Sequence, residues 1–367
     1  MKYHIGRSNN AQATACVDEV CRGFTDPKLI LYYSPVKQFE EYTQLLHEKF
    51  PNCICMGATT IVTIGRDGAQ KNGLMAVGIE HGISCSADVL EHANTYPVKY
   101  ANRVEHCVRS LGNKTNSICL EFTTALKCAE ESVLSTLNSV LLDYNIPVFG
   151  GSAGDDTSGV ATYVALNGTV YENSSVFCLI HNETGPIHVF RENIYKPITG
   201  HILTATKVDY VNRTVKEYDH QPAAKVFAKE LGIPESEVSK YFDTNPMGRI
   251  IGEEMYITAN CAKTPDNGIT YHARVYNNSR LVVLEPDDYR EVIQRTKEKI
   301  LSEVPNPSFA IMCHCLARTL LFDGDGYLQE YAKGMGNVLG DYIGFSGYGE
   351  QLGRQHFNQT MSVIVFE

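Results

Sequence analysis

Hydroxyl, acidic and guanidinium side chains occur in or near three glycine-rich stretches of the 367-residue chain. The stretches are residues 57–60 (Gly-Ala-Thr-Thr), 150–156 (Gly-Gly-Ser-Ala-Gly-Asp-Asp) and 344–350 (Gly-Phe-Ser-Gly-Tyr-Gly-Glu). Amides and hydroxyls in such turns suit a carboxylate, a nearby acid suits an ammonium group, and a guanidinium can bind a carboxylate through two parallel hydrogen bonds. The stretches therefore predict a binding site for a small charged molecule.

The candidates for this site are chosen by the chemistry of their side chains. They are the hydroxyl donors Thr59, Ser152 and Ser346, the acids Asp155, Asp156 and Glu350, and the cations Arg249 and Arg318. A structural role is the open alternative. In that case the two aspartates cap their own turn through local amides, and Arg318 pairs with an acid between domains.

Each glycine-rich stretch lies after a predicted strand and helix and before another predicted strand. The apolar pattern predicts first strands at 29–33, 117–122 and 308–313, helices at 36–50, 129–144 and 327–339, and closing strands at 74–79, 161–166 and 360–366. The glycines are expected to form turns, because glycine adopts backbone angles that other residues resist. The repeated order suggests internal repetition of a strand, helix, glycine turn and strand, although that order is common in α/β chains.

Short predicted strands and helices fill the chain between residues 187 and 304. The predicted fold class is therefore α+β, with two intimately packed domains of mixed sheets flanked by helices. The predicted divisions are an N-terminal extension at 1–27, a first domain at 28–235 and a second at 236–367. A chain of this length is large enough to bury an extensive core.

Composition excludes several classes of protein. A formal charge of -10 without charged runs argues against a nucleic-acid groove or an anionic membrane surface. No apolar stretch reaches membrane-spanning length, and the first ten residues lack the apolar core of a signal peptide. We expect a cytoplasmic protein whose twelve cysteines are reduced thiols.

The order and spacing of several short motifs resemble the FIST domain family over residues 28–367. The motifs are 147–156, similar to the family's Pro-x-x-Gly-Gly-x-Ala-Gly-Asp, the turn Asn167-Gly168, residues 204–206, 217–219, 222–223, 315–318 and 344–350, and 356–360, similar to a His-Asn-x-Thr ending. The resemblance implies FIST N-type and C-type domains. One departure is the first turn, where the family's Gly-Cys-Ser-Thr with a following Gly-Glu is replaced by residues 57–60 without the acid.

The resemblance implies a standalone sensory protein that binds a small ligand and signals through a separate protein such as a histidine kinase. Amino acids or their derivatives are the ligands that it suggests. Some FIST proteins bind haem and respond to nitric oxide, so haem b is an alternative cofactor, with His356 and His314 as candidate ligands. The sequence leaves the ligand, the partner and the formation of a homo-oligomer open.

A serine hydrolase is the second alternative. Residues 150–154 fit Gly-x-Ser-x-Gly around Ser152, and His356 would complete the chain order of a catalytic triad. The nucleophile of such an enzyme must be followed at once by a helix, whereas residues 160–166 are typical of a strand. We therefore expect a protein that is not an enzyme.

Overall fold

The computed structural model describes residues 1–112, 114–155 and 159–367. They form two compact units. The first comprises Met1–Arg191, Lys297–Gln355 and Met361–Glu367, and the second comprises Glu192–Thr296 and His356–Thr360. The second unit is therefore mostly an insertion in the sequence of the first. The predicted division at residue 235 separates two continuous sequence segments, whereas the compact units are discontinuous in sequence, so this division stays a prediction.

Strands and helices mix along the chain, which confirms the α+β class. The strands are β1 (Lys2–Ser8), β2 (Leu29–Ser34), β3 (Ile54–Thr59), β4 (Thr63–Gly65), β5 (Gly68–Gln70), β6 (Leu74–His81), β7 (Ile83–Glu91), β8 (Ser117–Thr123), β9 (Val148–Ser152), β10 (Val164–Leu166), β11 (Thr169–Tyr171), β12 (Ser174–Asn182), β13 (Ile187–Asn193), β14 (Tyr195–Pro197), β15 (Leu203–Asp209), β16 (Thr214–Tyr218), β17 (Gln221–Pro222), β18 (Met247–Ile251), β19 (Glu254–Thr258), β20 (Asn260–Lys263), β21 (Ile269–Tyr271), β22 (Arg280–Pro286), β23 (Phe309–Cys315), β24 (Tyr342–Gly347), β25 (Gly349–Leu352), β26 (Gln355–Phe357) and β27 (Thr360–Phe366). The α-helices are α1 (Ala13–Val20), α2 (Phe39–Lys49), α3 (Ala101–Leu111), α4 (Glu130–Leu141), α5 (Ala223–Leu231), α6 (Tyr289–Glu303), α7 (Leu316–Gly324) and α8 (Leu328–Leu339).

Three six-stranded sheets in the first unit share one plan. Their strand orders are β1-β6-β2-β3-β10-β11, β7-β12-β8-β9-β25-β26 and β13-β27-β23-β24-β4-β5. Each contains a parallel pair, which is β2 with β3, β8 with β9, or β23 with β24. Helices connect the two strands of every pair, as a parallel connection requires. The plan confirms that a strand, helix and strand are repeated, although the closing strand of the second repeat is β12 and not the predicted residues 161–166.

The outer hairpin of each sheet comes from a different repeat. Hairpin β4–β5 follows β3 in sequence but pairs with β24, and hairpin β10–β11 follows β9 but pairs with β3. The strands β25 and β26 follow β24 and lie beside β9. The exchange is cyclic, because each repeat receives a hairpin from one of the other repeats and gives its own hairpin to the remaining one.

The glycine-rich stretches are not turns, contrary to the prediction. Residues 57–59, 150–152 and 344–347 lie inside β3, β9 and β24, while Gly349 and Glu350 begin β25. These stretches are the second strands of the parallel pairs. Thus Thr59, Ser152, Ser346 and Glu350, which were predicted to surround a ligand in turns, lie in buried strands.

Close packing between neighbouring strands explains these glycines. Gly57 lies opposite Tyr32, and a Cβ at residue 57 would overlap the tyrosine ring. Gly150 lies opposite Glu121, where a Cβ would overlap the glutamate carbonyl oxygen. Gly344 is the equivalent glycine of β24, since it precedes Ser346 by two residues as Gly57 precedes Thr59 and Gly150 precedes Ser152. Glycine is needed at these positions because a neighbouring strand fills the space of a side chain.

Side chains from all three sheets form one core in the first unit. At its centre the rings of Tyr33, Phe122 and Phe345, one from each repeat, lie 4.9–5.5 Å apart between centroids. Such tilted and edge-to-face ring pairs contribute beyond their buried area. The central face of the sheets is therefore closely packed with apolar groups.

Helices cover the opposite faces of the sheets. The helix α3 buries Val104, Cys107, Val108 and Leu111 at helical spacing against the second sheet, and it ends at Gly112 in the left-handed conformation. The helices α1 and α2 pack on the first sheet in the same way. No helix in the described ranges is long and apolar enough to span a membrane.

The second unit contains one nine-stranded sheet. Its main order is β19-β18-β22-β15-β16-β21-β20, with β14 beside β22 and β17 beside β16. The sheet and helix α5 bury a separate core that includes Leu203, Val215, Phe227 and Leu281. The strands β15 and β16 form an antiparallel hairpin.

Candidate functional site

The three predicted hydroxyl donors occupy equivalent positions at the carboxyl ends of the parallel pairs. The main-chain oxygen of each residue accepts a hydrogen bond from a backbone amide of another repeat. In every case the donor lies two residues after the hydroxyl residue of that other repeat. The donors are Gly154 to Thr59 (2.8 Å), Tyr348 to Ser152 (3.1 Å) and Ile61 to Ser346 (3.3 Å). The structure therefore brings these residues around one centre, as a ligand site requires.

The hydroxyl groups themselves are engaged inside the protein. Thr59 Oγ1 donates to the Tyr163 carbonyl oxygen (3.2 Å) and accepts from the Tyr163 amide (3.0 Å). Ser152 Oγ donates to Glu130 Oε1 (3.2 Å) and accepts from Gln351 Nε2 (3.0 Å). Both side chains are fully buried, so they support the strand ends and do not face an open cavity.

Ser346 belongs to a buried chain of hydrogen bonds that sequence reasoning missed. Thr319 Oγ1 lies 2.7 Å from Ser346 Oγ and 2.8 Å from His314 Nδ1. Burial lowers the pKa of His314 to about 3, so its ring is neutral at physiological pH. The threonine directly follows Arg318 in helix α7, an element that the sequence analysis did not predict.

Arg318 and Glu350 are both buried in the first unit. The guanidinium of Arg318 lies 5.0 Å from the ring centroid of Phe322 and 5.5 Å from that of Tyr331. Burial lowers the pKa of Arg318, while the charges of Tyr331 and Glu350 oppose that shift. The aromatic rings and the carboxylate stabilise a cation that has lost its water.

Asp155 fixes the loop that follows β9. Its Oδ2 accepts the amides of Val160 (2.9 Å) and Ala161 (3.2 Å), and its Oδ1 accepts the hydroxyl of Tyr348 (2.6 Å). Burial and this carboxylate raise the pKa of Tyr348 to about 12. The local capping considered for Asp155 is therefore what the structure has, while Asp156 lies outside the described residues.

A small cavity opens beside this loop, at the carboxyl end of the second repeat. Its volume is about 90 Å³, and residues 125–127, 160–163 and Glu172 line it. The ammonium of Lys127 and the carboxylate of Glu172 have no ion-pair or hydrogen-bond partner within residues 1–112, 114–155 and 159–367. We call it the carboxyl-end cavity, and sequence reasoning missed both charges because each occurs singly in a loop.

The backbone beside the carboxyl-end cavity is strained. Leu126 and Cys128 have φ angles of 66° and 54°, which side chains other than glycine rarely adopt. The amide of Ala125 is held by Thr162 Oγ1 at 2.9 Å, which joins this loop to the one that follows β9. Such strain gathers at ligand sites and switch regions.

The other predicted residues lie elsewhere. Arg249 is in the second unit, where its guanidinium donates to the carbonyl oxygens of Arg274 (3.0 Å) and His356. These bonds tie three segments of that unit together. In the structure the side chain of Arg249 therefore connects segments of the second unit.

The surroundings of the two candidate haem ligands do not fit haem. His314 is fully buried, with ring centroids of Phe322 and Tyr331 at 5.7 and 5.2 Å, which leaves no room for a porphyrin. His356 is also buried, with 2% of its surface exposed.

Ser152 does not have the geometry of a hydrolase nucleophile. It is the last residue of a strand, it is fully buried, and its partner is the carboxylate of Glu130 instead of an imidazole. Within residues 159–222 the described elements are all strands, so the helix that a nucleophile elbow requires is lacking there.

The architecture is that of an α+β protein with three repeated sheets and an inserted second unit. The family model of the FIST N domain matches residues 28–221, and that of the FIST C domain matches residues 223–352. The chain belongs to the FIST family. Domains of this family are associated with sensory and signal-transduction roles and with small-ligand binding.

The chain is also similar to an uncharacterised protein of Methanocaldococcus jannaschii. The two are 23% identical over 396 aligned residues, which cover 95% of this chain and 75% of the relative. The similarity extends over both compact units.

Proposed function

We propose that this chain is a sensory protein, not an enzyme, that binds a small amino acid or amino-acid derivative in the carboxyl-end cavity. The observation that carries the proposal is a pair of charges, Lys127 and Glu172, which line one cavity of about 90 Å³ and have no partner among the residues that the structure describes. An amino acid has a carboxylate for the lysine and an ammonium for the glutamate. Each charge-assisted hydrogen bond contributes more than a neutral one.

The cavity volume limits the size of the ligand. A volume of about 90 Å³ is well below the roughly 300–1,000 Å³ of most ligand pockets, so the cavity suits glycine or alanine better than an aromatic amino acid. The position agrees with the general preference of ligands for the carboxyl ends of parallel strands. Larger amino acids are expected to bind only with their side chain in solvent.

Signalling would follow from the strained loop. A ligand bound between Lys127 and Glu172 favours one arrangement of residues 125–128, whose backbone is held away from its preferred angles. Leu126 and Val160 are exposed by 47% and 70% beside the cavity, so a separate signalling protein could contact them there. A histidine kinase is the kind of partner that we propose.

Calorimetric titration and thermal shift with glycine, alanine, glutamate and phenylalanine test the proposal. We expect glycine or alanine to bind, with about 2.7 kcal/mol of stabilisation at one hundred times the dissociation constant. Lys127→Ala and Glu172→Gln should each weaken binding at least ten-fold, because each leaves one ligand charge without a partner.

The exposed Lys333 offers a matched control, since Lys333→Ala removes the same charge from helix α8 of the first unit. Binding should be unchanged in this variant. Equal affinity in wild type, Lys127→Ala and Glu172→Gln would contradict the proposed site, and no saturable binding of any of the four amino acids would contradict the proposed ligand.

A further inference from the structure

A larger cavity lies at the opposite, amino end of β24. Its volume is about 570 Å³, within the range of ligand pockets. Strand β1, the β4–β5 turn, β6 and the start of β24 form its walls, with Tyr3, Ile5, Arg7, Arg66, Met75 and Asp341 among the lining residues. We call it the Arg7 cavity, and it shares no lining residue with the carboxyl-end cavity.

Arg7 is a half-buried cation that contacts no acid among the described residues. Its Nη1 and Nη2 donate to the Gly68 carbonyl oxygen at 3.1 and 3.0 Å, and Nη2 also contacts Met75 Sδ at 3.3 Å. Three of the five N–H donors of a guanidinium are thus used, and none meets a carboxylate in the described part of the chain. Burial lowers the pKa of Arg7, while the charge of Asp67 opposes that shift.

A desolvated cation without a carboxylate in contact favours an anion. Two donors of Arg7 remain, the Nε–H and one Nη1–H, and each can donate a charge-assisted hydrogen bond to a carboxylate oxygen. The Coulombic influence of Asp67 reaches Arg7 without a contact, so it does not occupy those donors.

The other walls of the cavity limit the kind of anion. Asp341 is paired with Arg66 at 3.1 Å and lies 3.3 Å from the hydroxyl of Tyr3, so neither Asp341 nor Arg66 presents a free charge. Asp67 disfavours an anion with several negative charges. Ile5 and Met75 supply an apolar wall.

We propose that the Arg7 cavity binds a singly charged carboxylate with a short apolar body, held by the guanidinium of Arg7. This second site goes beyond the proposed amino-acid site and differs from it in position and in ligand chemistry.

Equilibrium titration with propionate, butyrate and benzoate, at constant ionic strength with chloride, tests the proposal. We expect saturable binding that Arg7→Gln weakens at least ten-fold, because charge-assisted hydrogen bonds are lost. Inorganic phosphate, with more negative charge and no apolar body, should bind more weakly than the carboxylates.

A second variant with the opposite expected effect keeps the test informative if Arg7→Gln does not fold. Asp67→Asn removes an exposed negative charge from the cavity and should strengthen carboxylate binding. Arg354→Gln removes an exposed arginine of the first unit that does not line the cavity, and should have no effect.

Three outcomes would overturn the proposal: no saturable carboxylate binding, equal affinity in wild type, Arg7→Gln and Asp67→Asn, or tighter binding of phosphate. Lys127→Ala should leave carboxylate binding unchanged, so this test and that of the amino-acid site fail independently. Glycine binding that is lost in Arg7→Gln but kept in Lys127→Ala would overturn both assignments.

Discussion

Glu121 is a fully buried carboxyl group on the face of β8 that helices α3 and α4 cover. Its Oε2 accepts the hydroxyls of Thr123 (2.7 Å) and Ser175 (3.1 Å), while its Oε1 has no hydrogen-bond partner among the residues that the structure describes. Burial raises the pKa of Glu121 to about 8, and the nearby charge of Glu130 adds to the shift. The group is therefore protonated in the folded protein at neutral pH.

This pKa makes the free energy of unfolding depend on pH. An unfolded glutamate loses its proton near pH 4.5, whereas the folded protein keeps it until about pH 8. Stability should therefore fall as pH rises through this window, by up to about 1.4 kcal/mol per pH unit. We expect Glu121→Gln to flatten this fall, measured by urea unfolding at several pH values between 5 and 8.

Glu80 provides a control of the opposite kind. Hydrogen bonds from Lys2 and Thr25 lower the pKa of Glu80 to about 2, so it is ionised throughout the window from pH 5 to 8. Glu80→Gln should lower stability by the same amount at each pH and leave the slope unchanged. The prediction that Glu121 is protonated would be wrong if the free energy of unfolding fell equally between pH 5 and 8 in the wild type and in Glu121→Gln, or did not fall in either.

At the residue scale, the sequence predicted the hydroxyl positions better than it predicted the charges. Thr59, Ser152 and Ser346 were chosen from similar short stretches, and the structure places them at equivalent points. Lys127 and Glu172 come from loops that differ in sequence and meet only in the folded chain. The role of a charged side chain depends on its neighbours in the folded chain, and a local sequence pattern does not contain those neighbours.

At the scale of elements, the glycines of the parallel pairs offer a direct test. In Gly150→Ala the new methyl group would meet the Glu121 carbonyl oxygen and lie 3.0 Å from Glu121 Cγ. Overpacking of this kind costs about 1–3 kcal/mol. We expect Gly150→Ala to lower the denaturation midpoint, measured by urea or thermal unfolding.

Gly324 gives the matched control for this substitution. It ends helix α7, its φ is not in the left-handed region, and a Cβ there would meet nothing within 4 Å. Gly324→Ala should be neutral or stabilise by up to about 1 kcal/mol, because alanine favours a helix. Equal stability of Gly150→Ala and the wild type would show that the strands separate more easily than their packing implies.

The glycine stretches also show why element prediction failed where it did. Apolar periodicity correctly predicted β2, β8 and the helices α2, α4 and α8 between the paired strands, but it missed α7. The strands β9 and β24 were assigned as turns, since glycine usually indicates a turn. Their glycines serve contacts with residues more than twenty positions away, such as Glu121 for Gly150. Local rules do not include such partners.

At the scale of the whole molecule, the first unit should not fold from its early segments alone. A chain that ends at residue 221 lacks β23, β24 and β27, which are neighbouring strands of the third sheet, and it also lacks β25 and β26 of the second. Ile311, Phe345 and Ile364 would be missing from the common core. We expect this fragment to lack a cooperative thermal transition and native near-ultraviolet circular dichroism.

Co-expression with residues 222–367 should restore both signals, because the missing strands are then supplied by a second chain. A cooperative transition in the 1–221 fragment alone would contradict the exchange of hairpins as a requirement for folding. The three repeats could be predicted from the sequence, whereas the exchange could not, since β4, β5 and β10 are only three residues long and carry little pattern.

The hairpin exchange also orders events during protein synthesis. Hairpin β4–β5 leaves the ribosome long before β24, the strand with which it pairs, since residue 70 precedes residue 342 by most of the chain. At about 5–20 residues per second, the hairpin waits roughly tens of seconds with an open edge. The nascent chain therefore has a long period in which chaperones can bind it, and that period ends only when the third repeat emerges.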